Sequence, residues 1–307
     1  MSDDWFSSML VPERENHPEE VGAIKDYLRQ KTTAPEAAQA ITRPVVDAED
    51  PDGDIYRLYG LLRDALLELR DHTEPLLALL QAIEDLPQPD FTAAQPTKRY
   101  PLWKGLSCFG HEWYDVSYRS GSWKSDAEKT SGSERYVLQD EHARTAEVEA
   151  RLFMAGLAGI PIDWGYKAIE EALGKDSLLD FQIPAAAEWL VVSGQRFLQG
   201  ANEGEKTWAI KEGMSLERWW LWETQFEKLL ATHSGVVQRA ATKALNAMHE
   251  ADNEAVLVQP SDLHQAHIDA IHDKLKSFNL SGVVRQAKSY ASHSTKGAGK
   301  QKMQDSV

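Results

Sequence analysis

Cysteine is almost missing from this chain, with one thiol, Cys108, in 307 residues. A single sulfur cannot close an internal disulfide, and secreted domains usually carry paired cysteines, so the expected setting is a reducing one, the cytoplasm or the nucleus. The opening stretch MSDDWFSSMLVPERENH has no basic region leading into an apolar core, so no secretory signal is expected. Long apolar runs are absent too: nothing approaches the ~18 to 20 residues a bilayer-spanning helix needs, and no membrane partner is expected. The Asn279-Leu280-Ser281 sequon is therefore not expected to carry a glycan. Positive charge is scarce, 33 Lys plus Arg against 48 Asp plus Glu, a formal net charge of −15. Such a surface repels phosphate backbones, so nucleic acid is a poor partner for the body of the protein.

Several chemical signatures are also missing. There is no Walker loop, GxGxxG, GxSxG or CxxC pair, which leaves nucleotide binding, dinucleotide binding and serine-elbow hydrolysis without support. Paired Asp-rich diphosphate-binding clusters are lacking as well. No cofactor and no metal are implied. No segment shows the alternation of a half-buried strand.

What is present is helical patterning. With 42% hydrophobic and 26% charged residues the chain has the balance of a soluble globular protein, and its ten Trp outnumber nine Tyr and eight Phe. Asn16-His17-Pro18-Glu19 and Thr33-Ala34-Pro35-Glu36 both have capping-box spacing and predict helix starts. Ile55, Tyr59, Leu62, Leu66 and Leu69 form one helical stripe, and Pro75 places a second helix whose junction with the first falls near His72. Between residues 87 and 137 the prolines, glycines and clustered aromatics predict a long irregular segment. Helices return around Val148, Leu152 and Ala155, across Trp164 to Leu173, and along Ile183, Ala186, Leu190 and Phe197. Ser215 is expected to cap a helix bearing Trp219, Trp222, Phe226, Leu229 and Leu230. Val237, Ala240, Ala244 and Ala247 mark a small-residue helix, and Ser261 opens another. The expected fold is all-α, an irregular multi-helix bundle or short α-solenoid. One domain would span residues 15–280, after a flexible stretch at 1–14. A disordered tail is expected at 281–307, where Arg285, Lys288, Lys296, Lys300 and Lys302 face Asp305.

The densest site-like run is Tyr100 to Asp115, followed by Tyr118, Arg119 and Trp123. His111, Glu112 and Asp115 are of the residue types that donate and accept protons, and apolar surroundings shift such groups toward neutrality. Trp103, Phe109, Trp113 and Tyr114, with Trp219 and Trp222, would wall a ligand. The alternative is that Trp103, Phe109 and Trp113 pin an irregular segment onto the helices, with His111 or Asp115 satisfying backbone groups. His111-Glu112 is no zinc-protease motif, because position 115 is Asp and the segment does not look helical. His264 falls in line with the Ile268/Ile271/Leu275 stripe, as a core histidine would. Glu223 sits at the edge of the tryptophan face, either desolvated or paired with an arginine, Arg151 or Arg196. Cys108 reads as a small hydrophobe.

Several blocks then occur in order: Trp103-x-x-Leu106-x-x-Phe109-Gly110-His111-x-Trp113-x-Asp115, Glu149-Ala150-Arg151-Leu152, Ala187-x-Trp189 with Gly194, and Ser215-Leu216-Glu217-Arg218-Trp219-x-x-Trp222. Together they resemble a fungal domain-of-unknown-function family catalogued as three-six-three-two, over roughly residues 50 to 250. The chain departs from the family block at Glu223, where a Lys or Arg often follows the second Trp. The resemblance implies a fungal, intracellular, helix-dominated protein and supplies no reaction. The functional expectation is an aromatic-lined pocket that binds, and by cofactor-free acid/base chemistry converts, an apolar or aromatic small molecule. The alternative is a non-enzymatic adaptor that meets a protein partner through its helical surface or basic tail.

Overall fold

Local capping chemistry sets where the first helices start. The computed structural model describes residues 3–89, 101–116, 122–175 and 178–258; 79% of these are helical, in twelve α-helices, with no strand among them. α1 (Asp3–Met9) lies in the stretch expected to be flexible and buries Trp5, Phe6 and Met9. α2 (Pro18–Leu28) opens on a proline, whose missing N–H costs nothing in a first turn. The capping box expected at Asn16 does not form: the residue before the first turn is His17, whose side chain makes no capping bond, and Asn16 Nδ2 donates to the Met9 carbonyl at 3.0 Å. α3 (Ala34–Asp47) does open on its box: Thr33 Oγ1 accepts from the Glu36 amide at 3.4 Å, and the Glu36 carboxylate accepts from the Thr33 amide at 2.8 Å.

α4 (Pro51–Glu68) carries the predicted stripe, with Ile55, Tyr59, Leu62 and Leu66 all buried. A 3₁₀ turn at Arg70–His72 then leads into α5 (Thr73–Glu84), so the two helices meet where Pro75 required. The buried Arg144 completes this junction by donating to the Leu66 carbonyl at 2.5 Å and to Thr73 Oγ1 at 2.6 Å. A cation thus meets the negative C-terminal end of α4.

The long irregular segment expected at 87–137 is largely helical where it is described. α6 (Ser107–Val116), α7 (Ser122–Lys129) and the start of α8 (Gly132–Met154) all fall inside it. The prolines stop at Pro101, and beyond Gly105 (φ +74°) nothing forbids a helix. Leu106, Phe109 and Trp113, at i, i+3 and i+7, are the buried stripe that the glycine and aromatic content concealed. The non-helical argument against a zinc-protease motif therefore falls, while Asp at 115 still excludes its second histidine.

α9 (Ile162–Ala172), α10 (Leu179–Glu203), α11 (Leu216–Thr232) and α12 (Gly235–Val258) follow the predicted stripes. Ser215 Oγ accepts from the Arg218 amide at 3.3 Å and caps α11 as expected. α2, α3 and α5 form one packed group with α4. α8 runs against both α4 and α10, and α9 and α11 close on α10. The small residues of α12 allow close approach, since a Cβ added to Gly194 of α10 would lie 3.5 Å from the Ala247 carbonyl oxygen. The chain divides into two units, residues 1–251 and 252–307. The helix expected from Ser261, with His264, His267 and His272, and the basic tail lie outside the described residues, as do Tyr118 and Arg119.

Candidate functional site

The structure does not gather the predicted acid/base residues around the predicted indoles. His111 and Asp115 sit one turn apart on α6, 3.6 Å from each other, with side chains 67% and 59% exposed. At 100° per residue a helix that buries Phe109 and Trp113 turns positions 111 and 115 outward. Glu112 lies at the margin and pairs with Arg63 at 2.8 Å. Tyr114 is exposed and stacks on Trp164, ring centroids 5.8 Å apart.

The indoles themselves are core. Trp103, Phe109 and Trp113 are buried, and the Phe109 ring meets Tyr59 of α4 edge-on at 5.4 Å and Trp113 at 5.8 Å. Trp219 and Trp222 are buried in a different cluster, with Tyr166 of α9 and Phe197 of α10. Trp222 Nε1 donates to Glu170 at 2.9 Å, and Arg218 salt-bridges the same carboxylate at 2.8 Å. Glu223 has its partner, but it is His249 of α12 at 2.9 Å and neither expected arginine. Arg151 is taken by Glu147 and Glu74, and Arg196 by Glu205. Cys108 is half-buried and forms no disulfide.

What the tertiary structure does assemble is a polar row on the buried face of α8. Gln139, His142 and Glu149 fall at i, i+3 and i+10, and all three are buried. Glu149 is wholly enclosed and accepts from Trp113 Nε1 at 3.2 Å. Two turns earlier, about 10.5 Å along the axis, His142 is 6% exposed. Its ring stacks on Trp123 of α7 at 4.1 Å and meets Phe181 of α10 at 5.9 Å. Gln139 Nε2 donates to Asp180 at 2.5 Å, and Arg135 pairs with the same carboxylate at 2.7 Å while lying over the Phe181 ring. An imidazole and a carboxylate, both out of water and both against indoles, thus share one helix face. The reading of the sequence passed over both as sites. Only the i, i+3, i+10 spacing of polar residues within an otherwise apolar or small-residue face points to them.

A second cluster joins His17, Glu20 and Asp54, whose ligand-type atoms lie within 4.8 Å of one another. Arg57 spans its two carboxylates, on Glu20 and on Asp54 at 2.8 Å. Burial pushes the enclosed Glu20 carboxyl up despite this guanidinium. The positive charge a metal would bring is already supplied by Arg57, so the geometry is that of a structural ion pair.

Compared with known proteins, the chain matches no curated protein and no solved structure. Residues 64–226, from within α4 to within α11, match the model of a family described as protein of unknown function (DUF3632). This span contains the α6 block, the whole α8 row and Trp219 to Trp222. By that match over more than half its length, the chain belongs to the DUF3632 family.

Proposed function

We propose that this is a helical binding protein for an apolar or aromatic small molecule, with its site along the α8 row beneath α6 and α7. In this reading His142 and Glu149, rather than His111, Glu112 and Asp115, orient the ligand and exchange protons with it, and Trp113 and Trp123 supply apolar walls. The observation that carries it is a wholly enclosed carboxylate and a buried imidazole on one helix face, each against an indole. Enclosing ionisable groups costs several kcal/mol of hydration, and such groups concentrate where chemistry or recognition needs them. The single thiol supports a reducing compartment, cytoplasmic or nuclear, and the family resemblance supports a fungal source.

A second reading, a protein-interaction role through the helical surface, is favoured by Tyr136 and Val137, two exposed apolar neighbours in the first turns of α8. Thermal-shift screening of the full chain against planar aromatic and aliphatic fragments separates the two. The small-molecule reading expects stabilising fragments whose affinity falls roughly tenfold or more in His142→Ala and in Glu149→Gln. The same fragments should bind His111→Ala as they bind the parent. It is overturned if no fragment raises Tm, or if hits bind folded His142→Ala and Glu149→Gln undiminished.

A further inference from the structure

The α8 row is covered on one side by α7, a helix of eight residues, too short to be stable by itself in water. Lys124, Ser125, Asp126, Glu128 and Lys129 are exposed, and the face turned inward is Trp123 and Ala127, at i and i+4. Trp123 lies on the His142 ring at 4.1 Å and beside Phe181 at 5.7 Å, so the indole of α7 covers the imidazole. At the other end of α7 one guanidinium acts as a latch. Arg135 Nη1 donates to the Ala127 carbonyl and, at 3.5 Å, to that of Thr130, while Nε and Nη2 reach Asp180 in the first turn of α10 at 2.7 and 3.0 Å. Carbonyls that no further helical turn can satisfy are thus tied through Arg135 to α10. The chain passes into α8 through Thr130, Ser131 and Gly132. Thr130 bonds back to the Asp126 carbonyl through its amide at 3.1 Å and its Oγ1 at 2.9 Å. Ser131 is extended (φ −146°, ψ 169°), and Gly132 is left-handed (φ +61°) with nothing within 4 Å of an added Cβ, so rotation there meets no packed neighbour.

We propose that α7 is a lid on the α8 row: it swings about Ser131 and Gly132, carries Trp123 off His142, and is held shut by Arg135. That the opening admits a ligand rests on the small-molecule reading above; the motion itself does not. A two-turn helix docked through an indole, a methyl group and a guanidinium belongs to the low-stability end of a fold and opens without unfolding the core.

Acylation of histidine by diethyl pyrocarbonate, mapped by tandem mass spectrometry, reads the opening. Buried His142 reacts only when uncovered, and exposed His111 in the same chain supplies the uncovered rate. Amide hydrogen exchange of the full chain, followed in parallel, locates the segment that opens. In the parent, His142, scaled to His111, and the α7 amides should both be less protected than amides in the middle of α10. Arg135→Gln should lower both protections about tenfold and leave α10 unchanged. Should that variant not fold, Asp180→Asn loosens the same latch from the α10 side. The proposal is overturned by a His142 as protected as the middle of α10, by an unchanged His142 rate in the latch variant, or by faster exchange throughout the chain. A fragment that binds the row should associate faster in Arg135→Gln, and equal association would overturn the lid as its way in. If no fragment binds, the small-molecule reading fails while the acylation rates still decide the lid.

Discussion

Trp113 Nε1 donates to Glu149 Oε1 at 3.2 Å with both side chains enclosed, so a buried hydrogen bond ties α6 to α8. Removing the carboxylate strands a buried indole donor and leaves a void. Glu149→Ala is expected to cost roughly 3 kcal/mol of unfolding free energy, and Glu149→Gln, which keeps an acceptor, about 1 kcal/mol. A double-mutant cycle with Trp113→Phe should return a coupling of about 1 kcal/mol in urea denaturation. Strictly additive losses would show that the two side chains do not interact.

Two glycines allow elements to touch. A Cβ on Gly110 would stand 2.2 Å from the Ala158 carbonyl oxygen, and one on Gly165 would stand 2.5 Å from the Trp189 ring and 2.6 Å from Phe197. Backbone and interlocked rings cannot swing aside. Gly110→Ala should cost about 3 kcal/mol and Gly165→Ala about 2 kcal/mol. Gly60 of α4 has nothing within 4 Å of its added Cβ. Gly60→Ala should therefore stabilise, by about 0.5–1 kcal/mol, through helix propensity and a less flexible unfolded chain. Midpoints of urea unfolding check all three.

His111 and Asp115 are exposed on α6, where solvent screens their interaction. His111→Ala and Asp115→Asn should each change stability by no more than about 0.5 kcal/mol. A larger loss in thermal unfolding would mean that α6 presents a different face.

Acid should loosen the chain between α10 and α11. Burial pushes the Glu205 carboxyl up, but hydrogen bonds and charge from Arg196, with a hydrogen bond from Tyr166, outweigh it and hold the group below its ordinary value of 4.5. The unfolded chain then takes up the proton first as pH falls. The contribution of Glu205 is present above the ordinary value and is lost as pH drops through the lower folded one. Urea midpoints of the parent should fall between about pH 5 and 3, and Glu205→Gln should flatten that slope. Glu147, held down by Arg144 and Arg151, adds in the same direction.

Some of the fold was legible because its causes are local. The Thr33 box, the Ser215 cap, Pro75 in the first turn of α5 and the α4 and α10 stripes each depend on residues within one or two turns. α6 was concealed because glycine and aromatic content argues for a loop, while the Leu106, Phe109 and Trp113 stripe is only three residues long. The box at Asn16 failed because α2 starts at Pro18 with His17 before it, one residue later than the box spacing requires.

By itself, then, the order of amino acids determined an all-helical chain, several of its helix ends and which residues of each stripe turn inward, since backbone capping and a 3.6-residue period are properties of neighbours. Only the tertiary structure decided that His142 and Glu149 are enclosed while His111 and Asp115 face water, and that Glu223 meets His249. A helix such as α8, covered by α4 and α10 together, buries a second face, and that depends on where distant helices come to rest.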